Sequence, residues 1–141
     1  MGSFKSKLAL QLAGCCVLFP FGLVLQSMPV PFLGDVSLGW MGYPITMLWV
    51  LGLTNIFNFM DGLDGIAAGT AVVVSAVMVM LIAPTDPNSF NLVFLVLLAS
   101  TLGFLFFNFP RAQIFLGDVG SQFLGFSLAA TAVLAAGAEP G

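Results

Sequence analysis

Charged residues are scarce in this 141-residue chain, which has three Lys or Arg, six Asp or Glu and no His. Soluble domains carry about 25% charged residues, whereas this chain carries 6%, too few to cover a water-facing surface. The absence of His removes the commonest general base and metal ligand. The two cysteines, Cys15 and Cys16, are adjacent in an apolar run, which favours small buried hydrophobes over a redox or metal role.

Apolar runs fill most of the chain, which is 60% hydrophobic with a mean hydropathy of +1.12. A membrane-spanning helix needs roughly 20 apolar residues, so the chain has room for about five spans and short connections. We therefore expect an all-α polytopic membrane protein, a single integral-membrane region over 1–141 without a soluble domain. The predicted spans cover residues 8–25, 45–60, 66–83, 90–107 and 121–136.

Pro and Gly mark the predicted connections. Pro20 is expected to kink or open the first span. Residues 27–44 combine Pro and Gly with alternating apolar positions, which predicts an extended connection or a short hairpin at the membrane surface, with Trp40 and Tyr43 as interfacial anchors. Residues 84–89, PTDPNS, predict a turn.

All the basic residues of the chain fall on one predicted side of the membrane: Lys5, Lys7 and Arg111. The positive-inside rule makes that side cytoplasmic. Three of the six acidic residues share it: Asp61, Asp64 and Asp118.

The stretch TNIFNFMDGLDG, residues 54–65, carries the first motif. Asn55, Asn58 and Asp61 are spaced by three, which places them within about 120° on a helix. A polar stripe at the end of an apolar span must face protein or water rather than lipid.

A continued helix would point Asp64 away from this stripe, whereas Gly62 and Gly65 allow the chain to turn. We expect the helix to end near Asp61, so that both carboxylates converge, and a new helix to begin at residue 66 with free N–H groups that can face an anion. The alternative is that Asp61 and Asp64 are N-caps of the third span.

A second motif lies in residues 108–125, where Gly117 and Gly120 flank Asp118 beside the start of the fifth span. We expect phosphate oxygens and a hard cation to meet at such a helix start. The alternative makes Asp118 a helix cap and Arg111 only a topology signal.

Three carboxylates without Cys or His favour an oxygen-preferring cation such as Mg²⁺ or Mn²⁺. Mg²⁺ typically takes one or two carboxylates together with substrate phosphates, so the pattern indicates metal-assisted phosphoryl chemistry at the membrane surface. Spacing alone leaves open a transporter with coupling-ion carboxylates, which would lie near the bilayer midplane.

Both stretches resemble motifs of the polyprenyl-phosphate N-acetylhexosamine-1-phosphate transferases, glycosyltransferase family 4. Residues 55–69 look like its Asn-x-x-Asn-x-x-Asp-Gly-x-Asp-Gly motif, and residues 107–125 look like its Pro-containing loop ending in Phe-x-Gly-Asp-x-Gly-Ser. The residues of both motifs are most similar to those of family members that start the synthesis of O-antigen or other surface polysaccharides.

The resemblance implies transfer of a sugar 1-phosphate from a UDP-N-acetylhexosamine to undecaprenyl (polyprenyl) phosphate, with release of UMP, at the cytoplasmic face of the bacterial inner membrane. By position, Asp61, Asp64 and Asp118 would be catalytic, with Asp118 as the Mg²⁺ ligand. Asn58 would line the nucleotide–metal site and Asn55 would support it. Membrane lipids are further implied partners, nucleic acid is not, and a homodimer is compatible with the sequence.

Two parts of the family pattern are not found in this sequence: an adjacent Asp-Asp pair upstream of KSKLALQ, and a downstream loop containing His. We therefore expect a fragment that covers the middle of the family fold. On its own it is expected to be inactive, as a non-catalytic membrane piece.

Overall fold

The computed structural model describes residues 4–32, 34–83 and 90–137. These residues form five α-helices and one β-hairpin. In chain order the elements are α1 (Phe4–Leu18), β1 (Ser27–Val30), β2 (Gly34–Ser37), α2 (Gly42–Met60), α3 (Ile66–Ile82), α4 (Phe90–Asn108) and α5 (Gly117–Gly137). The predicted turn at 84–89 lies outside the described residues.

The first helix is shorter than the predicted span 8–25, and the predicted end at residue 25 is wrong. The α-helix stops at Leu18 and continues as a single 3₁₀ turn, Phe19–Phe21. Pro20 within that turn has no N–H to extend the helix, and Gly22 follows in the left-handed region with φ 89°.

The connection between α1 and α2 is the predicted hairpin. Strands β1 and β2 pair antiparallel, with Ser27 opposite Ser37 and Val30 opposite Gly34. The hairpin lies at the end of the helices that is opposite to the two motifs, because it joins the end of α1 to the start of α2.

The helical character of a membrane protein is confirmed. Helices α4 and α5 are long and apolar enough to cross a membrane, while α3 and the stretch Ser6–Phe21 are apolar but shorter. Large apolar side chains face outward, among them Phe59 and Phe106, which are 84% and 86% exposed. Lipid, rather than water, suits such faces.

The adjacent cysteines differ in environment. Cys15 is fully buried against Val50 and Ala129, whereas Cys16 is exposed. Neighbouring residues of a helix point about 100° apart, so only Cys15 has the predicted buried position.

Close packing of α5 against α2 sets the position of both motifs. At Gly125 a Cβ atom would lie 2.9 Å from the carbonyl oxygen of Leu53 and 2.9 Å from the Cα of Thr54. The absence of a side chain at Gly125 therefore lets the two backbones meet. This contact places the end of α2 beside the start of α5.

Candidate functional site

The first motif forms the end of α2 and a tight turn. Helix α2 ends at Met60, with Asp61 as its C-terminal cap residue, and α3 begins at Ile66 after Gly65, which has φ 72°. The predicted helix end and the predicted new helix are both confirmed. Only glycine adopts this left-handed conformation at little cost.

Asp61 is bound to the start of α5. Its carboxylate accepts hydrogen bonds from the backbone N–H groups of Leu116 (3.1 Å) and Gly117 (2.7 Å), and the residue is only 8% exposed. A carboxylate at a helix N-terminus satisfies N–H groups that have no partner within the helix and interacts favourably with the helix dipole. The alternative that Asp61 caps the third span is therefore wrong, because it caps the fifth.

Asp64 and Asn108 hold the segment between α4 and α5. Exposed Asp64 accepts the N–H of Ala112 at 3.1 Å. Buried Asn108 accepts the N–H of Gly65 at 2.9 Å and donates to the carbonyl oxygen of Ile114 at 2.8 Å. Both residues thus tie residues 109–116 to the turn after α2, and Asp64, like Asp61, does not cap α3, whose N-terminus has no side-chain cap.

Asp118 lies in the first turn of α5, because the helix begins at Gly117, before the predicted start of the fifth span at residue 121. Its carboxylate forms an ion pair with Lys7 and accepts a hydrogen bond from Nδ2 of Asn58 at 3.1 Å. The same nitrogen donates to Oγ of Ser121 at 2.9 Å. Side chains from α1, α2 and α5 therefore converge on Asp118, and its carboxylate is 52% exposed.

A second set of polar side chains lies one helical turn further along. Nε2 of Gln11 donates to Oε1 of Gln122 at 2.9 Å, and Oε1 of Gln11 accepts from Nδ2 of Asn55 at 3.0 Å. Sequence reasoning found Asn55 but missed both glutamines. Their spacing of four from Lys7 and from Asp118 is the signal that was available.

The three aspartates lie at one end of the helices but do not share ligands. Asp61 and Asp64 bind backbone N–H groups, while Asp118 binds side chains. Over residues 4–32, 34–83 and 90–137, no group of three or more Asp, Glu, His or Cys side chains is placed to hold a metal ion. The predicted convergence is therefore confirmed for the location of the carboxylates and is wrong for a shared cluster.

One carboxylate suits a phosphate-bound cation. Asp118 is half exposed, and it already attracts the Lys7 ammonium. Mg²⁺ usually keeps only one or two protein carboxylates and completes its shell with water and substrate phosphates. The single carboxylate of Asp118 therefore fits a Mg²⁺ ion that completes its shell with water and phosphate oxygens.

A groove of about 520 Å³ opens beside the Lys7–Asp118 pair. Apart from this pair and the two glutamines, it is mostly apolar. Its other lining residues are Leu10, Gly14, Thr54, Val119, Phe123 and Phe126. The groove therefore has a charged end and an apolar body.

Comparisons of the amino-acid sequence with known proteins match the chain to one family. A model described as "Glycosyl transferase family 4" matches residues 2–136. A Bacillus subtilis (strain 168) protein named "Probable undecaprenyl-phosphate N-acetylglucosaminyl 1-phosphate transferase" is 46% identical over 134 residues, which are 94% of this chain and 37% of that protein.

Two proteins named "Phospho-N-acetylmuramoyl-pentapeptide-transferase" are also similar. The protein from Lacticaseibacillus paracasei is 39% identical over 74% of this chain and 33% of its own length. That from Synechococcus sp. (strain JA-3-3Ab) is 40% identical over 94% of this chain and 39% of its own length. The chain thus spans between 33% and 39% of the length of these curated relatives. The family match nonetheless covers nearly all of it, and the chain belongs to glycosyl transferase family 4.

Proposed function

We propose that this chain supplies the metal–phosphate end of an enzyme that transfers a sugar 1-phosphate from a UDP-N-acetylhexosamine to undecaprenyl phosphate. One observation carries the proposal: Lys7, Asn58 and Asp118 converge from three helices at the mouth of an apolar groove. A cationic group, a carboxylate and an adjacent apolar channel are the features that a lipid phosphate and a nucleotide pyrophosphate require.

The groove supports a lipid acceptor. A phosphate near the Lys7 ammonium would leave its isoprenoid chain beside Leu10, Phe123 and Phe126. Burial of apolar surface contributes about 25 cal/mol per Å². The name of the Bacillus subtilis relative includes undecaprenyl phosphate and an N-acetylglucosaminyl group, which favours undecaprenyl phosphate as acceptor and an N-acetylglucosaminyl nucleotide as donor.

In the proposed reaction, an oxygen of the lipid phosphate attacks the sugar-linked phosphorus of the donor. The bond from that phosphorus to UMP breaks, and a lipid-linked sugar pyrophosphate forms. Asn58 orients the Asp118 carboxylate through its 3.1 Å hydrogen bond, and Lys7 binds phosphate oxygens. A Mg²⁺ or Mn²⁺ ion held by Asp118 would supply charge neutralisation of the pyrophosphate when bound.

Asp61 and Asp64 receive different roles in this proposal. Asp64 is exposed, so its carboxylate is accessible to the nucleotide, whereas the Asp61 carboxylate is hydrogen-bonded to the start of α5. Asp61 therefore positions Asp118 by fixing the first turn of α5. A direct catalytic role for either residue stays a prediction.

The site is proposed to face the cytoplasm of a bacterial inner membrane. Lys7 pairs with Asp118, and exposed Arg111 lies in the segment that Asp64 binds. The positive-inside rule assigns such an end to the cytoplasm. The product would start a cell-envelope polysaccharide such as O-antigen.

The transporter alternative has less support. It requires carboxylates near the middle of the spans. Asp61 is the cap residue of α2, and Asp118 lies in the first turn of α5. Both carboxylates thus lie at helix ends.

The test uses the protein expressed from its complete reading frame, with UDP-N-acetylglucosamine and undecaprenyl phosphate as substrates. Asp118→Asn is expected to lower Mg²⁺-dependent UMP release by about 100-fold or more, since loss of even an indirect metal partner costs 10- to 100-fold. Asp35→Asn, an exposed change on β2 at the opposite end, is the matched control. Unchanged UMP release in Asp118→Asn would remove Asp118 from the site.

A further inference from the structure

Polar side chains join α1, α2 and α5 in two successive layers. The first layer is Lys7, Asn58 and Asp118, and the second layer is Gln11, Asn55 and Gln122. Each member of the second layer lies three or four residues from a member of the first, on the same helix. Residues at these spacings lie on one face of a helix. The second layer therefore repeats the three-helix connection of the first, one turn further along the groove.

Gln11 is the centre of the second layer. It donates to Gln122 on α5 at 2.9 Å and accepts from Asn55 on α2 at 3.0 Å. Asn55 in turn donates to the backbone carbonyl of Leu51 at 2.7 Å, which fixes its amide on α2. The carboxamide of Gln11 is thus held from both sides.

The first layer alone holds α1 weakly. The side chains of Lys7 and Asp118 are 35% and 52% exposed, and an ion pair that water reaches contributes little to stability. Lys also has a long flexible side chain, so an unconstrained ammonium samples many positions. The bond between Gln11 and Gln122 is partly buried, and a hydrogen bond shielded from water is stronger than one in water. The bond from exposed Asn55 adds a second direction of restraint on the same amide.

We propose that Gln11, Gln122 and Asn55 are positioning residues that set α1 against α5, so that the Lys7 ammonium meets the Asp118 carboxylate. The inference rests on the proposed function for its purpose, because Lys7 and Asp118 are the groups assigned to phosphate and metal. The side-chain hydrogen bonds described for the second layer go to its own members and to the backbone of Leu51. The second layer acts by fixing the axial position of α1, one turn from Lys7 and one turn from Cys15, which is buried between α2 and α5.

The reactivity of the Lys7 amine measures this positioning without any catalytic assay. An amine in contact with a carboxylate is acylated slowly, because the carboxylate blocks the approach of the reagent to the nitrogen. In the detergent-solubilised chain carrying Lys5→Arg, Lys7 is the single lysine. Its acetylation rate by acetic anhydride is followed by mass spectrometry of a chymotryptic peptide.

The acetylation rate of Lys7 in the Asp118→Asn variant is the reference value for an amine without its carboxylate partner. Gln11→Met and Gln122→Met, which keep side-chain length but remove the hydrogen bond, are each expected to raise the Lys7 rate most of the way to that value. The double variant is expected to match Gln11→Met, because that change alone removes both bonds of Gln11, whereas Gln122→Met leaves the bond from Asn55 in place. The control is Thr101→Val, which removes a buried 2.6 Å hydrogen bond within α4, away from the site, and is expected to keep the slow rate.

A slow Lys7 rate in both glutamine variants overturns the positioning role. An equally raised rate in Thr101→Val also overturns it, because a general loosening of the fold then explains the result. In the protein from the complete reading frame, Gln11→Met is expected to lower UMP release, and Thr101→Val is expected to leave it unchanged. If the unmodified protein releases no UMP, the proposed function fails, while the acetylation rates still decide the role of the glutamines.

Discussion

The carboxylate of Asp61 accepts the backbone N–H of Gly117 at 2.7 Å, so the residue that ends α2 also caps the start of α5. The first motif therefore holds the second motif in place. Asp118 follows Gly117 directly and is carried on the helical turn that Asp61 fixes. A change at Asp61 is expected to act on the site through the position of α5.

Asp61→Asn is expected to destabilise the chain. The Asn amide offers one acceptor oxygen to the two backbone N–H groups of Leu116 and Gly117. Its NH₂ group then faces the N–H group that has lost its acceptor. An unsatisfied buried donor costs about 1–3 kcal/mol, so thermal unfolding in detergent should begin at a clearly lower temperature. Asp64→Asn is the matched control, because exposed Asp64 accepts one N–H group, and one Asn oxygen suffices for it. Equal unfolding temperatures for the two variants would contradict the capping role of Asp61.

Gly125→Ala is expected to separate α2 from α5. The added Cβ would lie 2.9 Å from backbone atoms of Leu53 and Thr54, which cannot move aside as a flexible side chain can. Overpacking of this kind typically costs about 1–3 kcal/mol. At Gly103, on α4, a Cβ meets nothing within 4 Å. Gly103→Ala should therefore stabilise α4 by up to about 1 kcal/mol through helix propensity.

Thermal unfolding of both glycine variants checks this prediction. A lower midpoint for Gly125→Ala and an equal or higher midpoint for Gly103→Ala are expected. A midpoint for Gly125→Ala at or above that of the unmodified chain would mean that α2 and α5 pack less closely than described.

Local patterns predicted the parts of the fold that local interactions determine. The end of α2 near Asp61, the start of α3 at Ile66 and the hairpin before α2 follow from glycine, proline and polar spacing. A kink or opening at Pro20 was predicted, but the end of α1 was placed too late, since the apolar run continues past this residue. Apolar composition alone does not locate such a break.

Contacts between distant helices were not available from spacing. Lys7 and Asp118 are 111 residues apart, and no local signal makes α1 the neighbour of α5. Lys7 was therefore interpreted only as a topology signal, and Gln11 and Gln122 were not considered. The three aspartates were expected to share one cluster. Instead, Asp61 and Asp64 accept hydrogen bonds from backbone N–H groups at the start of α5 and in the segment before it. Pairing of this kind depends on tertiary packing.

Asn108→Asp is expected to loosen residues 109–116. An Asp at this position keeps an acceptor for the N–H of Gly65 but turns a carboxylate oxygen toward the carbonyl oxygen of Ile114. The residue is 2% exposed, so water cannot compensate for the lost bond. Trypsin cleavage after exposed Arg111 should become faster.

Cleavage is followed by gel electrophoresis of the detergent-solubilised chain. Thr101→Val, seven residues earlier on the same helix, serves as the control and is expected to be cleaved at the rate of the unmodified chain. An unchanged rate in Asn108→Asp would show that Asn108 does not restrain the segment.

Gly14→Leu is expected to block the apolar body of the groove. A Cβ at this position lies 3.9 Å from the ring of Phe126, an ordinary contact, so the backbone has no need to move. The remaining atoms of the leucine side chain then occupy the apolar body of the groove, where the proposal places the isoprenoid chain. In the protein from the complete reading frame, the KM for undecaprenyl phosphate should rise, while the KM for UDP-N-acetylglucosamine stays the same. Gly103→Leu, on the open face of α4, should change neither value. An equal rise in both KM values would contradict the role of the groove as an acceptor channel, because a block in such a channel raises only the KM for undecaprenyl phosphate. The equal rise would instead indicate a nucleotide-sugar site or a general effect on the fold.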